Sequence, residues 1–287
     1  MSFVVWHDGR WFDNEQPKLL GPLDHGMGMA SVVFDGARGF DGLAPDLDRH
    51  CSRVVESAKR MLLKPNKSPG EIEVLCREAL ERLPKDMVTY IRPMFYATEG
   101  FVLPVAESTA FTLVVFKLDW PKSDGMRCCF SSYRRPARDM APTDAKAACV
   151  YPNMQRALRE ANQRGFDNGI TMDPSGNVAE LCTANLWIAK DGVALTPAAN
   201  GTFLSGITRR RVAEMLRADG IEVVETVLTR KDILEADEVF STGNYGKVIP
   251  ITAVEDRVFA SGPVAARAKD LYFEFARSQP VAGVRAA

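Results

Sequence analysis

The sequence predicts a mixed α+β fold with an α/β-like second half, on three observations. Strand-like runs come in clusters, helical stripes fall between the clusters at uneven intervals, and no fixed-period repeat or regular βαβ alternation appears. The length of 287 residues suits two domains at about 100–200 residues each. Val4-Val5-Trp6 and Arg10-Trp11-Phe12, around His7-Asp8-Gly9, read as a hairpin closed by an Asp-Gly turn. Over 46–62, Leu47, Cys51, Val54, Val55, Ala58, Met61 and Leu62 form a helical stripe that Pro65 stops. A second helix opens at Ser68-Pro69-Gly70-Glu71, where Ser caps, Pro suits the first turn and Glu reaches back as a capping box; it ends by Pro84.

Strands follow over 87–96 and 110–118. Asp119-Trp120-Pro121-Lys122-Ser123-Asp124-Gly125 then breaks the pattern, which sets a small domain over 1–119, a linker over 120–126 and a larger domain over 127–287. In the larger part a strand is expected over 126–133 and a helix over 152–164 stopped by Gly165. Strands over 169–172 and 178–180 flank the turn Asp173-Pro174-Ser175-Gly176-Asn177. Strands over 186–189 and 193–195 flank an Asp-Gly turn, and a helix over 207–216 ends at Gly220. Strands over 221–227 and 238–241 precede a last helix from Pro263 that buries Val264, Ala268, Leu271, Tyr272 and Phe275; the tail after Gln279 is expected to be loose.

Thirty-six Lys plus Arg against 37 Asp plus Glu leave a net charge of −1, with no basic block to neutralise phosphates, which argues against a nucleic-acid partner. The start Met1-Ser2-Phe3-Val4-Val5-Trp6-His7-Asp8 has no charged leader before an apolar stretch, and no apolar run approaches about 18 residues. A cytoplasmic protein without a membrane span is expected. The six cysteines never form paired CxxC motifs and read as reduced, mostly buried thiols, and the three isolated histidines give no reason to expect a metal.

Without a histidine-based nucleophile pattern, a GxSxG or a P-loop, attention moves to lysine. Ala145-Lys146-Ala147-Ala148-Cys149-Val150-Tyr151-Pro152-Asn153 sets one Lys among small apolar residues ahead of a helix; it is either a solvated surface group or, if buried, an amine biased to the neutral form that makes a Schiff base. Glu180 lies between a turn and an apolar strand, where a buried carboxylate needs a cation opposite; a protonated pyridine nitrogen is one, and a surface position is the alternative. Asn200-Gly201-Thr202-Phe203-Leu204-Ser205-Gly206-Ile207-Thr208-Arg209 offers a helix N-terminus behind small residues, which serves a phosphate or plain capping. Arg53 stands one turn beyond Arg49 beside the apolar stripe of its helix. Ser241-Thr242-Gly243-Asn244-Tyr245-Gly246 is a turn or an anion nest. On Val88-Thr89-Tyr90-Ile91-Arg92-Pro93, alternation puts Tyr90 and Arg92 on one face, suited to a carboxylate or simply solvated.

Together these residues resemble the class IV aminotransferases, the fold type IV pyridoxal-phosphate enzymes, and within them the branched-chain amino-acid aminotransferases. The resemblance runs from Val33-Phe34-Asp35-Gly36-Ala37-Arg38 to Glu238-Val239-Phe240-Ser241, and is most specific at Ala145-Lys146-Ala147, at Arg164-Gly165-Phe166-Asp167 through Ala179-Glu180 to Asn185-Leu186, and at Gly206-Ile207-Thr208-Arg209. It implies a small α+β domain, a larger pseudo-barrel domain that binds pyridoxal 5'-phosphate, the cofactor in the cleft between them, and a homodimer whose partner loops complete the substrate pocket. The Lys matching Lys146 bonds to the cofactor and shuttles the proton between the substrate α-carbon and the cofactor C4′ carbon. The Glu matching Glu180 pairs with the ring nitrogen, and the Tyr matching Tyr151 bonds the ring hydroxyl. Phosphate ligands correspond to Arg53, Ile207, Thr208 and the loop with Thr242 and Asn244. Tyr90 and Arg92 match a Tyr-x-Arg that binds substrate carboxylates, and Phe34, Arg38, Gly243 and Tyr245 fall in the family's substrate-binding segments.

Departures concern the pocket. Met29 stands where the branched-chain enzymes place a tyrosine, Asp35 replaces their Glu, the Met-Gly-Val loop is missing, Gly243-Asn244-Tyr245 replaces Gly-Thr-Ala, and Ala148-Cys149-Val150 replaces Gly-Gly-Asn. The resemblance implies ping-pong transfer from branched-chain L-amino acids to 2-oxoglutarate. An (R)-selective amine:pyruvate or D-amino-acid transaminase is the runner-up, and a lyase of the aminodeoxychorismate type a further alternative.

Overall fold

The computed structural model describes residues 2–121 and 124–279, and the chain divides into two compact units. The first takes the chain through Trp120, the segment Asp144–Cys149 and the chain from Ala276; the second takes Pro121–Thr143 and Val150–Phe275. Lys122 and Ser123 of the expected linker, and the tail beyond Gln279, lie outside the described residues.

The first unit contains β1 (Phe3–His7), β2 (Arg10–Asp13), α1 (His25–Gly28), β3 (Val32–Phe34), β4 (Ala37–Gly39), α2 (Leu47–Arg60), α3 (Pro69–Glu81), β5 (Thr89–Ala97) and β6 (Thr109–Lys117). Its sheet runs β2-β1-β6-β5-β3, with β4 also on β5, all antiparallel. Asp8 and Gly9 both take positive φ, 46° and 76°, the turn geometry that matches strand twist in a two-residue hairpin. The Ser68–Glu71 capping box closes at the start of α3. The buried faces of α2 and α3 (Leu47, Cys51, Val54, Ala58, Ile72, Cys76) meet Val33, Ile91, Phe95, Leu113 and Val115 from the sheet in one apolar core.

A cut at 119–127 does not anticipate that Asp144–Cys149 belongs to the first unit. The segment is stapled there by backbone: Phe34 N–H donates to Lys146 O at 3.1 Å, Val33 bridges Ala147, and Lys146 N–H donates to Ser57 Oγ at 3.0 Å. Ala145 and Ala147 join the core, which admits only small side chains at that place.

The second unit contains β7 (Met126–Arg134), α4 (Tyr151–Gln163), β8 (Asn168–Met172), β9 (Val178–Leu181), β10 (Asn185–Lys190), β11 (Val193–Pro197), α5 (Ile207–Ala218), β12 (Val223–Thr226), α6 (Arg230–Leu234), β13 (Glu238–Gly243), β14 (Lys247–Val254), β15 (Arg257–Val258) and most of α7 (Pro263–Ser278). Its sheet runs β12-β11-β10-β13-β14-β7-β8-β9, with β15 on β14. The pairs β11–β12, β14–β7 and β7–β8 are parallel and the others antiparallel. The order carries the ends of β9, β10 and β13 and the start of α5 to the residues of interest.

Strand β14 is absent from the sequence-based expectation because Pro250 interrupts its alternation. The sheet tolerates this proline because pairing with β7 begins only at Ile251, so its missing N–H forfeits no bond on that side. Among the described residues no helix is long and apolar enough to cross a membrane.

Candidate active site

In the first unit, the backbone bonds to Phe34 and Ser57 hold Lys146 in place while its Nζ stands 5.0 Å from the Phe34 ring centroid. The Arg92 guanidinium lies 5.9 Å from that ring, and 5.2 and 5.1 Å from those of Tyr90 and Phe116. Strand β5 alternates as read from the sequence: Thr89, Ile91 and Pro93 face the core, and Tyr90 and Arg92 share the half-buried face. Arg92 Nε is buried with no hydrogen-bond partner, a donor placed among aromatic rings and in want of an acceptor. Gly36 packs against Tyr90, where a Cβ would come within 2.0 Å of the hydroxyl.

Arg53 reaches inward from α2, as its place beside the apolar stripe predicts, onto Asp35. Nε and Nη2 donate to the two carboxylate oxygens at 2.6 and 2.8 Å, a bidentate pair. His50, one turn earlier, brings Nδ1 to 2.6 Å of Asp35 Oδ1, which also accepts the Gly36 N–H at 2.7 Å. Burial alone pushes this carboxyl up, yet the charges and hydrogen bonds of Arg53 and His50 hold it well below the usual carboxylate range. A depressed folded-state pKa stabilises at neutral pH and ceases to do so as pH falls through it. Asp35→Ala, which leaves the Arg53 guanidinium and the His50 ring inside without the carboxylate they share, is expected to cost about 3–5 kcal/mol in denaturant unfolding. Asp35→Asn should in addition flatten the dependence of stability on pH below about 4; an unchanged slope there would show that Asp35 does not carry it.

Arg38 is fully buried, donates to Leu118 O and to Asp119 O at 3.1 Å, and lies 4.7 Å from the Trp120 ring centroid, so its guanidinium helps hold the chain leaving β6. Met29 ends α1 and is 53% exposed.

In the second unit, Glu180 sits on β9 opposite Thr171, whose hydroxyl donates to its backbone oxygen. Its Oε2 accepts from Asn185 Nδ2 at 3.0 Å, and its Oε1 lies 3.4 Å from Nε of the buried Arg135. That Nε also donates to Thr202 O at 3.0 Å, so Arg135 offers Glu180 charge more than a hydrogen bond. Asn185 Oδ1 lies so near Gly206 that a Cβ there would come within 2.1 Å. Gly206 therefore starts α5 with no side chain, and the helix has no side-chain cap, which leaves its first N–H groups to another acceptor. Ile207 and Thr208 follow, both buried. Across the sheet from Asn185 is Thr242, fully buried, whose hydroxyl accepts from the Trp187 indole at 2.9 Å. Asn244 Oδ1 accepts from Lys247 Nζ at 2.8 Å, and its buried Nδ2 has no partner. Gly243 ends β13, Tyr245 is half exposed, and Tyr151 opens α4 half buried.

Sequence reasoning singles out neither Arg135 nor Lys247, and names Asn185 only as the end of a segment that carries the resemblance. Arg135 follows Arg134 and looks like one of a surface pair; Asn185 and Lys247 carry no local pattern, and only their partners reveal them.

The family profile described as amino-transferase class IV matches residues 32–254. The chain is 33% identical to the branched-chain-amino-acid aminotransferase of Pseudomonas aeruginosa, over 94% of this chain and 92% of that protein. It is 30% identical to the Escherichia coli K12 enzyme of the same name, over 94% and 91%. Among solved structures it resembles an aminotransferase from Brucella abortus bound to pyridoxal phosphate, with a TM-score of 0.95 and 43% identity over 97% of this chain and all of that one. A branched-chain aminotransferase from Thermoproteus uzoniensis with norvaline gives 0.89 and 28%, over 97% and 96%. These neighbours share the fold type IV architecture expected from the motifs. A profile match over most of the chain, and relatives aligned nearly end to end at 30% identity or more, establish that this chain belongs to the class IV aminotransferases, enzymes that transfer an amino group to a 2-oxo acid.

Proposed function

We propose that the protein is a pyridoxal-phosphate-dependent aminotransferase whose donors are branched-chain L-amino acids and whose acceptor is 2-oxoglutarate. The observation that carries the substrate choice is Arg92, whose buried Nε has no acceptor and whose guanidinium is ringed by Phe34, Tyr90 and Phe116. A substrate carboxylate satisfies that donor, and the rings around it offer an apolar wall to an aliphatic side chain. Relatives at 30–33% identity that are named for branched-chain substrates agree with this choice.

The donor set fits the cofactor. An α5 start without a side-chain cap and the unpartnered Asn244 Nδ2 suit a phosphate, the Lys146 amine suits an aldehyde, and Glu180 suits a protonated ring nitrogen. When bound, pyridoxal phosphate supplies the electron sink that stabilises negative charge on the substrate α-carbon. Lys146 is the amine that would hold its aldehyde and would move the proton between the substrate α-carbon and C4′. Glu180 would keep the proton on its ring nitrogen, and Tyr151 would hydrogen-bond its ring oxygen. The phosphate would be held by the start of α5 at Ile207 and Thr208 and by the loop with Thr242 and Asn244, and the resemblance adds Arg53, which Asp35 orients. Tyr90, Arg92 and Phe34 are assigned to the substrate, and the family resemblance adds Met29, Arg38, Gly243 and Tyr245 to the residues that bind it.

A cytoplasmic homodimer belongs to the same proposal. His25 Nε2 lies 3.2 Å from Val102 O, which sets α1 against the loop between β5 and β6, and Leu23, Met27, Phe101, Val102 and Leu103 of these segments are all exposed, an apolar surface suited to a partner copy. Sedimentation as a monomer would remove that part.

A second reading, an (R)-selective amine:pyruvate or D-amino-acid transaminase, draws on Met29 and Asp35 in place of tyrosine and glutamate, and on the 43% identical neighbour being named only as an aminotransferase. A panel of donors and acceptors on purified, cofactor-loaded protein decides. L-leucine and L-valine with 2-oxoglutarate should outpace D-alanine and (R)-1-phenylethylamine by about tenfold or more in kcat/KM, the scale that differential pocket contacts supply. The reverse order would overturn the substrate assignment and leave the reaction class standing.

A further inference from the structure

We propose that Lys247 is a positioning residue for the cofactor phosphate: its ammonium fixes the side-chain amide of Asn244 so that Nδ2 faces the anion beside the start of α5. The inference rests on the cofactor reading above and deepens it, since Lys247 belongs to none of the motifs that carry the family resemblance.

Two features of Lys247 oppose folding. Its side chain is only 1% exposed although it ends in an ammonium, and its backbone is left-handed, with φ of 62°, a region that a residue bearing a Cβ rarely adopts. Such combinations persist where the residue does something besides fill space. What Lys247 does is visible at its tip: Nζ donates to Asn244 Oδ1 at 2.8 Å and stands 5.3 Å from the Tyr272 ring centroid.

That bond decides the orientation of the amide. An ammonium has donors and no acceptor, so a flipped Asn244 would set its NH2 against NH3+ with nothing to share. The oxygen therefore faces Lys247 and Nδ2 faces away, buried and with no hydrogen-bond partner.

The place it occupies is set by the sheet. Asn244 comes two residues after Thr242, which pairs with Asn185 across β10 and β13. The Asn185 side chain in turn abuts Gly206, where α5 begins without a side-chain cap. The strand end and the helix start thus flank one spot. An anion there meets backbone N–H groups, the favourable end of a helix dipole and the amide of Asn244, with the Lys247 charge one layer behind. A dianionic phosphate uses all of these; a substrate carboxylate is the competing occupant that the experiment separates.

Apoprotein of the wild type and of Lys247→Met, Lys247→Arg and Asn244→Ala is titrated with pyridoxal 5'-phosphate and, separately, with pyridoxal, which lacks the phosphate; thermal melts of each apoprotein are recorded alongside. Lys247→Met and Asn244→Ala should each weaken pyridoxal phosphate binding about ten- to a hundredfold, the scale of a hydrogen bond to a charged group, with pyridoxal changed by less than about twofold. Lys247→Arg should keep most of the affinity, and the double variant should bind no worse than Asn244→Ala, because the lysine acts through the amide. Equal losses for both compounds, or no loss, overturn the proposal. So does unchanged cofactor affinity with a raised KM for the amino donor, which hands the amide to the substrate carboxylate. Should Lys247→Met fail to fold, Asn244→Asp, which gives Lys247 a carboxylate partner, supplies the same comparison: loss confined to the phosphorylated compound supports the role, and equal loss or none refutes it. A wild-type protein that binds neither compound sinks the cofactor reading itself, before any variant is compared.

Discussion

Lys146→Ala is expected to abolish transamination, by a thousandfold or more, while the protein keeps its fold. The expected loss combines two contributions: the covalent attachment of the cofactor and a proton transfer that general acid–base groups typically accelerate by about 10²–10⁴. The structure indicates why the fold should survive. Lys146 is fastened by its main chain, through the N–H to Ser57 Oγ and the carbonyl to Phe34 N–H, and neither bond involves the side chain. Its neighbours Ala145 and Ala147 fill the core, whereas its own side chain is only partly buried. The thermal midpoint of the apoprotein should therefore move little, and the visible absorption of bound cofactor should disappear. A sharper check is available because Lys247 is a second lysine with little exposure among the described residues. Lys247 is buried but engaged with Asn244, so borohydride reduction of the cofactor-loaded protein followed by peptide mapping should place the label on Lys146. A label on Lys247, or on neither, would falsify the assignment.

What the sequence reveals about this site depends on how local each signal is. The Asp8-Gly9 turn, the Ser68–Glu71 capping box and the Gly165 stop after α4 are determined within four residues, and each is present where the pattern places it. Tyr90 and Arg92 are legible for the same reason, since period-two alternation is a property of one strand. Long-range pairings are not. Arg53 and Asp35 are 18 residues apart, and the helical stripe could bring the arginine inward without showing what it meets. Strand β14 is hidden because Pro250 disrupts alternation, and a proline's tolerability depends on which neighbour starts where. The crossing of Asp144–Cys149 into the first unit leaves no compositional mark, because two alanines that fit a core look like two alanines in a loop. The candidate residues are picked out by type and spacing, whereas the contacts that Asp35, Asn185, Arg135 and Lys247 make with their partners appear only in the folded chain.

Glu180→Gln is expected to lower turnover by about 10²–10³ while the cofactor stays bound, the range found when one preorganised electrostatic group is removed. The substitution is nearly isosteric, and a glutamine that turns its oxygen toward Asn185 retains the 3.0 Å bond now made by Oε2. Its amide nitrogen then takes the place of Oε1, the oxygen 3.4 Å from Arg135 Nε. There it presents a donor where a protonated ring nitrogen needs an acceptor, so the ring loses its proton and with it most of its capacity to hold negative charge. Arg135 does not substitute for the lost interaction, because it is itself a cation and its Nε proton is directed to Thr202 O at 3.0 Å. Removing the carboxylate also leaves Arg135 buried without its counter-ion, so a modest loss of stability should accompany the kinetic one. The two effects separate experimentally. Single-turnover rates for each half-reaction report the electrostatic loss at full cofactor occupancy, and Glu180→Asp, which restores an anion at a shorter reach, should recover part of the rate. If Glu180→Gln turns over at the wild-type rate with cofactor bound, the carboxylate serves Arg135 alone, and the group that holds the ring nitrogen must be sought elsewhere on the strands that flank α5.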